Sequence, residues 1–316
     1  MKKSVFALFL ALWAPVLHAQ ESQTAYNFLR LPASARIAAL GGENVTVVED
    51  DPSLVLANPA LLSSVSDKSI GFNFMNYMKG ANMLGASFSR VATEKLSWGA
   101  SAQYMDYGKM RETTDDNIET GQFSAKDIAI SGHLSYQLGA KVVGGITARI
   151  INSNIGDYNS WAVGVDLGVN YYDPEHELSL SAVARNLGGQ IKAYDEEFEK
   201  MPLDLQVGFS KQFAAAPFRL HATLVDLNHW NYRFVNHLVL GADILLGNAL
   251  WIGGGYHFRR ADEMSILATG EERSSSHGAG LSFGGGISLE RFKLNVAYGT
   301  YHVSSSSLVV SAAYTL

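Results

Sequence analysis

The stretch "WAVGVDLGVNY", Trp161 to Tyr171, decides how the rest of the chain is read. Its odd positions carry Trp161, Val163, Val165, Leu167, Val169 and Tyr171; the even positions between them carry Ala162, Gly164, Asp166, Gly168 and Asn170. A period of two sends alternate side chains to opposite faces of a strand, so one face here is oily and the other small or polar. The pattern returns at Leu238, Leu240, Ala242, Ile244 and Leu246, set against Gly241 and Asp243. It returns again at Ala279, Leu281, Phe283, Gly285 and Ile287, set against Gly280, Ser282, Gly284, Gly286 and Ser288.

Alternation alone also suits a soluble sandwich. Three features point elsewhere. The alternating segments run to about 10–15 residues, beyond the usual strand of ~5–6 and matching membrane-crossing strands of ~9–11 with extensions. Aromatic residues recur near segment ends (Phe72 and Phe74, Trp98 and Tyr104, Tyr256 and Phe258, Tyr298, Tyr314), as in the girdles of a membrane barrel. The third feature is parity. The pattern predicts strands near 68–77, 80–91, 95–108, 122–137, 140–152, 158–172 and 176–187. It continues at 202–213, 217–228, 234–246, 249–259, 276–288, 291–302 and 306–316, an even fourteen in all. The even-numbered connections (92–94, 138–139, 173–175, 214–216, 247–248, 290–291) are short, and the long ones, 109–121, 188–201 and 260–275, are odd-numbered. Short periplasmic turns alternating with longer outer loops belong to outer-membrane barrels. The expected fold is therefore an all-β, 14-stranded antiparallel transmembrane β-barrel.

Composition agrees. Hydrophobic residues make up 47% of the chain and charged residues 17%, below the roughly 25% of soluble domains. A formal net charge of −6 excludes a basic nucleic-acid binder. With no cysteine there is no disulfide framework, thiolate metal site or N-terminal lipid anchor. Lys2 and Lys3, the apolar run Val5 to Val16 and "LHA" at 17–19 read as a signal peptide, so export to the outer membrane of a Gram-negative bacterium is expected. The expected division is a signal peptide at 1–19, a plug or hatch at 20–67 and the barrel at 68–316. The C-terminal "LVVSAAYTL" puts Leu308, Val310, Ala312, Tyr314 and Leu316 on one face, as a closing strand would.

Candidate chemistry is sparse. The "GGG" runs at 253–255 and 284–286 lie inside alternating strands and lack a following Lys-Ser or Lys-Thr, so close approach of another element explains them better than phosphate binding. The histidines have no metalloprotease spacing, and His133, His237 and His257 fall on the predicted lumen face. "ETTDDNIETG", with Glu112, Asp115, Asp116 and Glu119, lacks the spacing of a calcium loop. No catalytic, cofactor or metal residues are assigned, and no enzyme is expected. The lumen face is predicted to carry Asp127, Arg149, Asp166, Arg185, Asp204, Asp243 and Lys293. Their mixed signs suit a hydrogen-bonded filling of the lumen better than a wide pore lined by one charge.

One segment breaks the alternation. In "DDPSLVLANPALLS", Asp50 to Ser63, Asp51 is a fitting N-cap and Pro52 fits the first helical position. Asn58 before Pro59 is pushed out of the helical region, and Pro59-Ala60 restarts a turn. Its leucines are too apolar to hang in water, so the segment is expected to plug the barrel, with Asp51, Pro52, Asn58, Pro59 and Ala60 as its markers.

Asn58-Pro59-Ala60 ahead of about fourteen strands resembles the hatch of FadL-type outer-membrane proteins. More closely, Tyr26 to Ser63 resembles the PorQ family of the Bacteroidetes type IX secretion system, as do "GQFSAKDIAI" at 121–130, "GVDLGVNYYDPE" at 164–175, "SAVARNLGGQ" at 181–190 and "DLQVGFSK" at 204–211. The resemblance implies an accessory barrel that anchors the cell-surface attachment complex, with PorZ, PorU and PorV as expected partners and outer-membrane lipid around it. The alternative is a FadL-like channel for uptake of hydrophobic small molecules. Any partner contact would fall on the outer loops Lys109 to Gly121, Gly188 to Met201 and Arg260 to Ser275.

Overall fold

The computed structural model describes residues 24–113, 116, 118–213, 216–247, 249–264, 278–302 and 305–316. The signal peptide expected at 1–19, Asp115 and the 265–275 part of the third outer loop lie outside the described residues.

Fourteen antiparallel strands close on themselves. The first seven are β1 Ser69–Met78, β2 Ala81–Thr93, β3 Leu96–Thr113, β4 Glu119–Gln137, β5 Val142–Ile155, β6 Tyr158–Asp173 and β7 Leu178–Lys192. The others are β8 Asp204–Gln212, β9 Phe218–Leu224, β10 Leu238–Leu246, β11 Leu250–His257, β12 Leu281–Ser288, β13 Phe292–His302 and β14 Ser305–Thr315. Each strand pairs with its sequence neighbours, and β1 closes the ring: Ile70 stands opposite Phe88 on one side and Tyr314 on the other. Closure matters physically, because an open edge in lipid would leave a row of backbone groups unpaired.

The alternation resolves as the sequence requires. In β6, Trp161, Val163, Leu167 and Val169 point outward while Ala162, Asp166 and Asn170 are buried in the lumen. Phe72, Ile130 and Ile252 expose 61%, 62% and 59% of their surface on the outer wall. A belt of that kind cannot face water, so the outward face is the one that meets lipid. No helix among the described residues is long and apolar enough to cross a membrane.

The long connections differ from the expected loops. Pairs such as Met110 opposite Phe123 and Arg111 opposite Gln122 carry the β3–β4 ladder through most of 109–121, making a projecting hairpin. Likewise β7 runs on to Lys192, with Asn186 at φ 60° where the register against β6 shifts. The connection after β11 opens with a short helix, Phe258–Glu263.

The core of the molecule is the lumen. A short helix α1, Ala35–Ala39, and two 3₁₀ turns, Pro52–Leu56 and Pro59–Ser64, lie inside the ring. Phe28, Leu40, Leu54, Leu61 and Leu62 are each at most 2% exposed. The chain begins this passage at the long-loop end, where Thr24 bridges Lys200 and the Ala25 amide donates to the Lys200 carbonyl at 2.9 Å. It leaves at the short-turn end to start β1. The inner segment thus runs the length of the lumen.

Candidate functional site: the filled lumen and its outer mouth

The two 3₁₀ turns are built by their caps. The Asp51 carboxylate accepts from the Ser53 amide at 2.9 Å and the Ser53 hydroxyl at 2.6 Å, and Pro52 supplies the first turn position, where no N–H is needed. Asn58 does the same for the second turn, accepting from the Ala60 amide at 3.0 Å. Its amide nitrogen also donates to the Val45 carbonyl at 2.9 Å and to Ser181 Oγ of β7 at 3.2 Å. Asn58, wholly buried, therefore caps the turn, ties two plug segments together and fixes both to the wall.

The wall is cut to receive this segment. A Cβ on Gly145 of β5 would run into the backbone of Pro59 and Ala60, and one on Gly168 of β6 into Asn58 and Pro59. One glycine of each run also faces the plug: Gly255 lies against the backbone of Leu40 and Gly41, and Gly284 against the Ala39 methyl, while the others meet neighbouring strands. Close approach of another element, not phosphate binding, accounts for these glycines.

The seven predicted polar residues all point inward. Arg149 meets Asp166 and donates to Asn186 Oδ1 at 2.8 Å, while the Asn186 amide donates to Asp166 at 2.7 Å. Arg185 reaches Glu43 of the plug at 3.2 Å and the Leu29 carbonyl at 3.0 Å. Asp204 accepts from Gln206 at 2.5 Å and from the Asp226 amide at 2.7 Å. Lys293 donates to the Asp50 carboxylate at 2.5 Å. Asp127 takes hydrogen bonds from Tyr107 (2.7 Å) and Ser153. Asp243 pairs with Arg36 and with Arg219 at 2.8 Å.

Six charged residues central to this network were not singled out in the sequence. Glu43, Glu49 and Arg36 come from the plug, Arg219 from β9, and Arg259 and Arg260 from the helix after β11. Arg36 is wholly buried, bonds Glu49 at 2.8 Å and lies over the Trp251 indole at 3.8 Å. A lone arginine in the apolar "ASARIAAL" was the available signal. Arg219 shares the inward parity of His221 and Thr223. Glu49 is held down to about 2: burial would raise it, but Arg36 and Arg219 outweigh that. Among the histidines, His133 is satisfied by Ser101 and Thr147 at 2.8 Å each, and His237 meets the Val225 carbonyl at 2.8 Å through Nδ1 alone. His257 accepts from the Arg260 amide at 3.3 Å. Asp173, Glu175 and His176 meet at the β6–β7 turn, where Lys141 already neutralises Asp173 at 2.8 Å.

Space is distributed unevenly. Amid Leu56, Gln103, Arg149 and Arg185 the residual cavity is about 20 Å³. At the long-loop end larger cavities open, one of about 630 Å³ between Asn186 and Leu203 and two that the start of the inner segment lines. One of these two, of about 440 Å³, is charged, with Arg30, Glu43, Asp226, Arg259 and Arg260 in its lining. The other, of about 780 Å³, has aromatic residues Tyr26, Tyr107, Phe123, Tyr158 and Tyr194 in its lining. Thr24 and Asn27 line both and partition them.

The fold has counterparts among solved structures. The toluene transporter TodX of Pseudomonas putida aligns over 90% of this chain and 97% of its own, with TM-score 0.57 and 16% identity. A TodX deltaS2S3 mutant, a monoaromatic hydrocarbon channel, covers 90% and 99% with TM-score 0.59 and 16% identity. The CymD monoaromatic hydrocarbon channel covers 92% and 98% with TM-score 0.57 and 15% identity. The chain shares their fold. The FadL-like architecture expected from the sequence is met at this level. No family model and no curated protein matches the sequence.

Proposed function

We propose that the chain is an outer-membrane barrel that works as a closed anchor, keeping its plug in place and holding a secretion-system protein at its outer mouth. The observation that carries this reading is the distribution of space: about 20 Å³ beside the plug, against about 440 and 780 Å³ at the long-loop end. Room for roughly one water serves no passage, whereas the outer mouth offers surface and charge. The resemblance of Tyr26 to Ser63 to the PorQ family supplies the partner class, the type IX attachment proteins PorZ, PorU and PorV. The test is deletion of the gene with a comparison of surface-attached and released cargo, joined to a pull-down from outer membranes in mild detergent. Unchanged attachment and no co-purifying surface protein would sink the reading.

A second reading, a channel for hydrophobic small molecules, has the support of the fold shared with TodX and CymD, and likeness to solved structures favours it over the first. The aromatic cavity is the feature it would use, and the plug would have to move. Uptake of apolar compounds should then fall on deletion, while cargo attachment stays as it was.

A further inference from the structure

Inward positions of β4 and β5 mix polar and apolar residues along most of their length, with Ala129 and Ile151 beside Ser131, Arg149, Asp127 and Ser153. At the long-loop rim they end on Phe123, Ala125 and Ile155. Apolar side chains turned away from lipid must cover something apolar of their own. Tyr26 and Tyr194, with ring centroids 6.2 Å apart, supply part of it. The remaining space is the cavity of about 780 Å³, within the ~300–1,000 Å³ range of small-molecule sites.

The lining has a second property. Among the described residues it includes three carboxylates, Asp127, Asp195 and Glu199, and no lysine, arginine or histidine. Asp127 is 4% exposed and accepts only from the hydroxyls of Tyr107 and Ser153. Among the described residues none of the three carboxylates forms an ion pair, whereas Asp166 and Asp243 deeper in the lumen each hold an arginine. Asp127 is the buried one of the three, and a buried carboxylate without a counter-charge is relieved either by a proton or by a cation held beside it. The Tyr107 and Tyr194 hydroxyls are taken up by Asp127 and Ser153, the latter at 2.6 Å, which leaves their ring faces for contact with a positive head group.

We propose that this cavity binds a small organic cation, its apolar body against Phe123, Ile155 and Tyr158 and its positive head toward Asp127, Asp195 and Glu199. The inference depends on neither reading of function above, since it concerns only what the cavity's charge and shape select.

The test uses the full barrel in amphipol, free of detergent that would compete for an apolar site. Three probes of one shape are titrated calorimetrically: 4-phenylbutylammonium, 4-phenylbutanol and 4-phenylbutyrate. The cation should bind about tenfold or more tightly than the alcohol, and the carboxylate weakest, as a charge-assisted contact requires. Asp195→Asn with Glu199→Gln, both on an exposed segment, should shrink that preference without touching the fold. Tyr158→Lys, at a position already 56% exposed, should abolish cation binding by supplying the charge internally. Equal binding of all three probes, no binding, or a preference indifferent to both variants would overturn the proposal.

Discussion

The Arg36 guanidinium, which no solvent reaches, is paired with the carboxylate of Asp243 on β10, 207 residues away in sequence. Arg219 completes the group, donating to Asp243 at 2.8 Å and to Glu49 at 2.5 Å. Two arginines and two carboxylates balance, and two of their ion pairs, Arg36–Asp243 and Arg219–Glu49, join plug to wall. The Arg36–Glu49 and Arg219–Asp243 pairs lie within plug and wall respectively, so it is the two crossing pairs that depend on the plug being in place.

Arg36→Met leaves that group with an uncompensated buried negative charge, and Asp243→Asn with a positive one. Each should destabilise the barrel by about 3–5 kcal/mol, the usual result of stripping one partner from a buried pair. Removing both charges together, as Arg36→Met with Asp243→Asn, should cost clearly less than the two single losses added. Thermal unfolding followed by circular dichroism measures all three. Simple additivity would show that the pair does not couple plug to wall.

Asn58 separates two roles in one side chain. Asn58→Asp keeps the acceptor for the Ala60 amide but loses the donor to Val45 and Ser181; Asn58→Ala loses both. A cap is worth ~0.5–2 kcal/mol, and a buried carbonyl left unpaired costs ~1–3 kcal/mol. The alanine variant should lose about 2–4 kcal/mol in unfolding experiments. The aspartate also introduces a buried charge, so its loss should ease as the pH is lowered. A pH-independent aspartate variant would argue against burial of this side chain.

Much of this was legible in the sequence because strand faces are set locally. Parity alone placed Asp166 and Asp243 in the lumen, and the caps Asp51 and Asn58 announced a turn–break–turn element. What escaped reading depends on distant partners. Arg36 looks like an ordinary helix residue until Asp243, Glu49 and Trp251 surround it. The acidic "ETTDDNIETG" concealed that Met110 and Phe123 continue a ladder, because cross-strand pairing is not visible in either strand alone. The glycine runs signalled close approach, but not that Leu40 and Ala39 were the residues approaching.

Glu49 gives the plug an acid limit. Its carboxyl is lowered from an ordinary 4.5 to about 2, so ionised Glu49 contributes its full stabilisation above the ordinary value and loses it as pH falls from 4.5 toward 2. Plug retention, read by protease protection of the Arg36 site, should be flat above about pH 5 and decline below it. Glu49→Gln should protect less at neutral pH and show a shallower decline on acidification. Parallel profiles for the two proteins would assign the acid step to another group.

The fit of plug to wall is testable by one methyl group. At Gly145 an added Cβ meets the backbone of Pro59 and Ala60, which cannot rotate aside as a flexible side chain would. At Gly132, on the outward face of the neighbouring strand β4, an added Cβ meets nothing within 4 Å. Gly145→Ala should therefore cost about 1–3 kcal/mol through overpacking, whereas Gly132→Ala should stay within about 0.5 kcal/mol of the parent. The two strands are equally extended at these sites, so the conformational effect of replacing glycine is shared and drops out of the comparison. What remains is the plug. Ion conductance across planar bilayers supplies the second measure: a shifted plug should raise it in Gly145→Ala and leave Gly132→Ala as the parent. Equal stability and equal conductance in the two variants would mean that Pro59 and Ala60 do not rest on this wall.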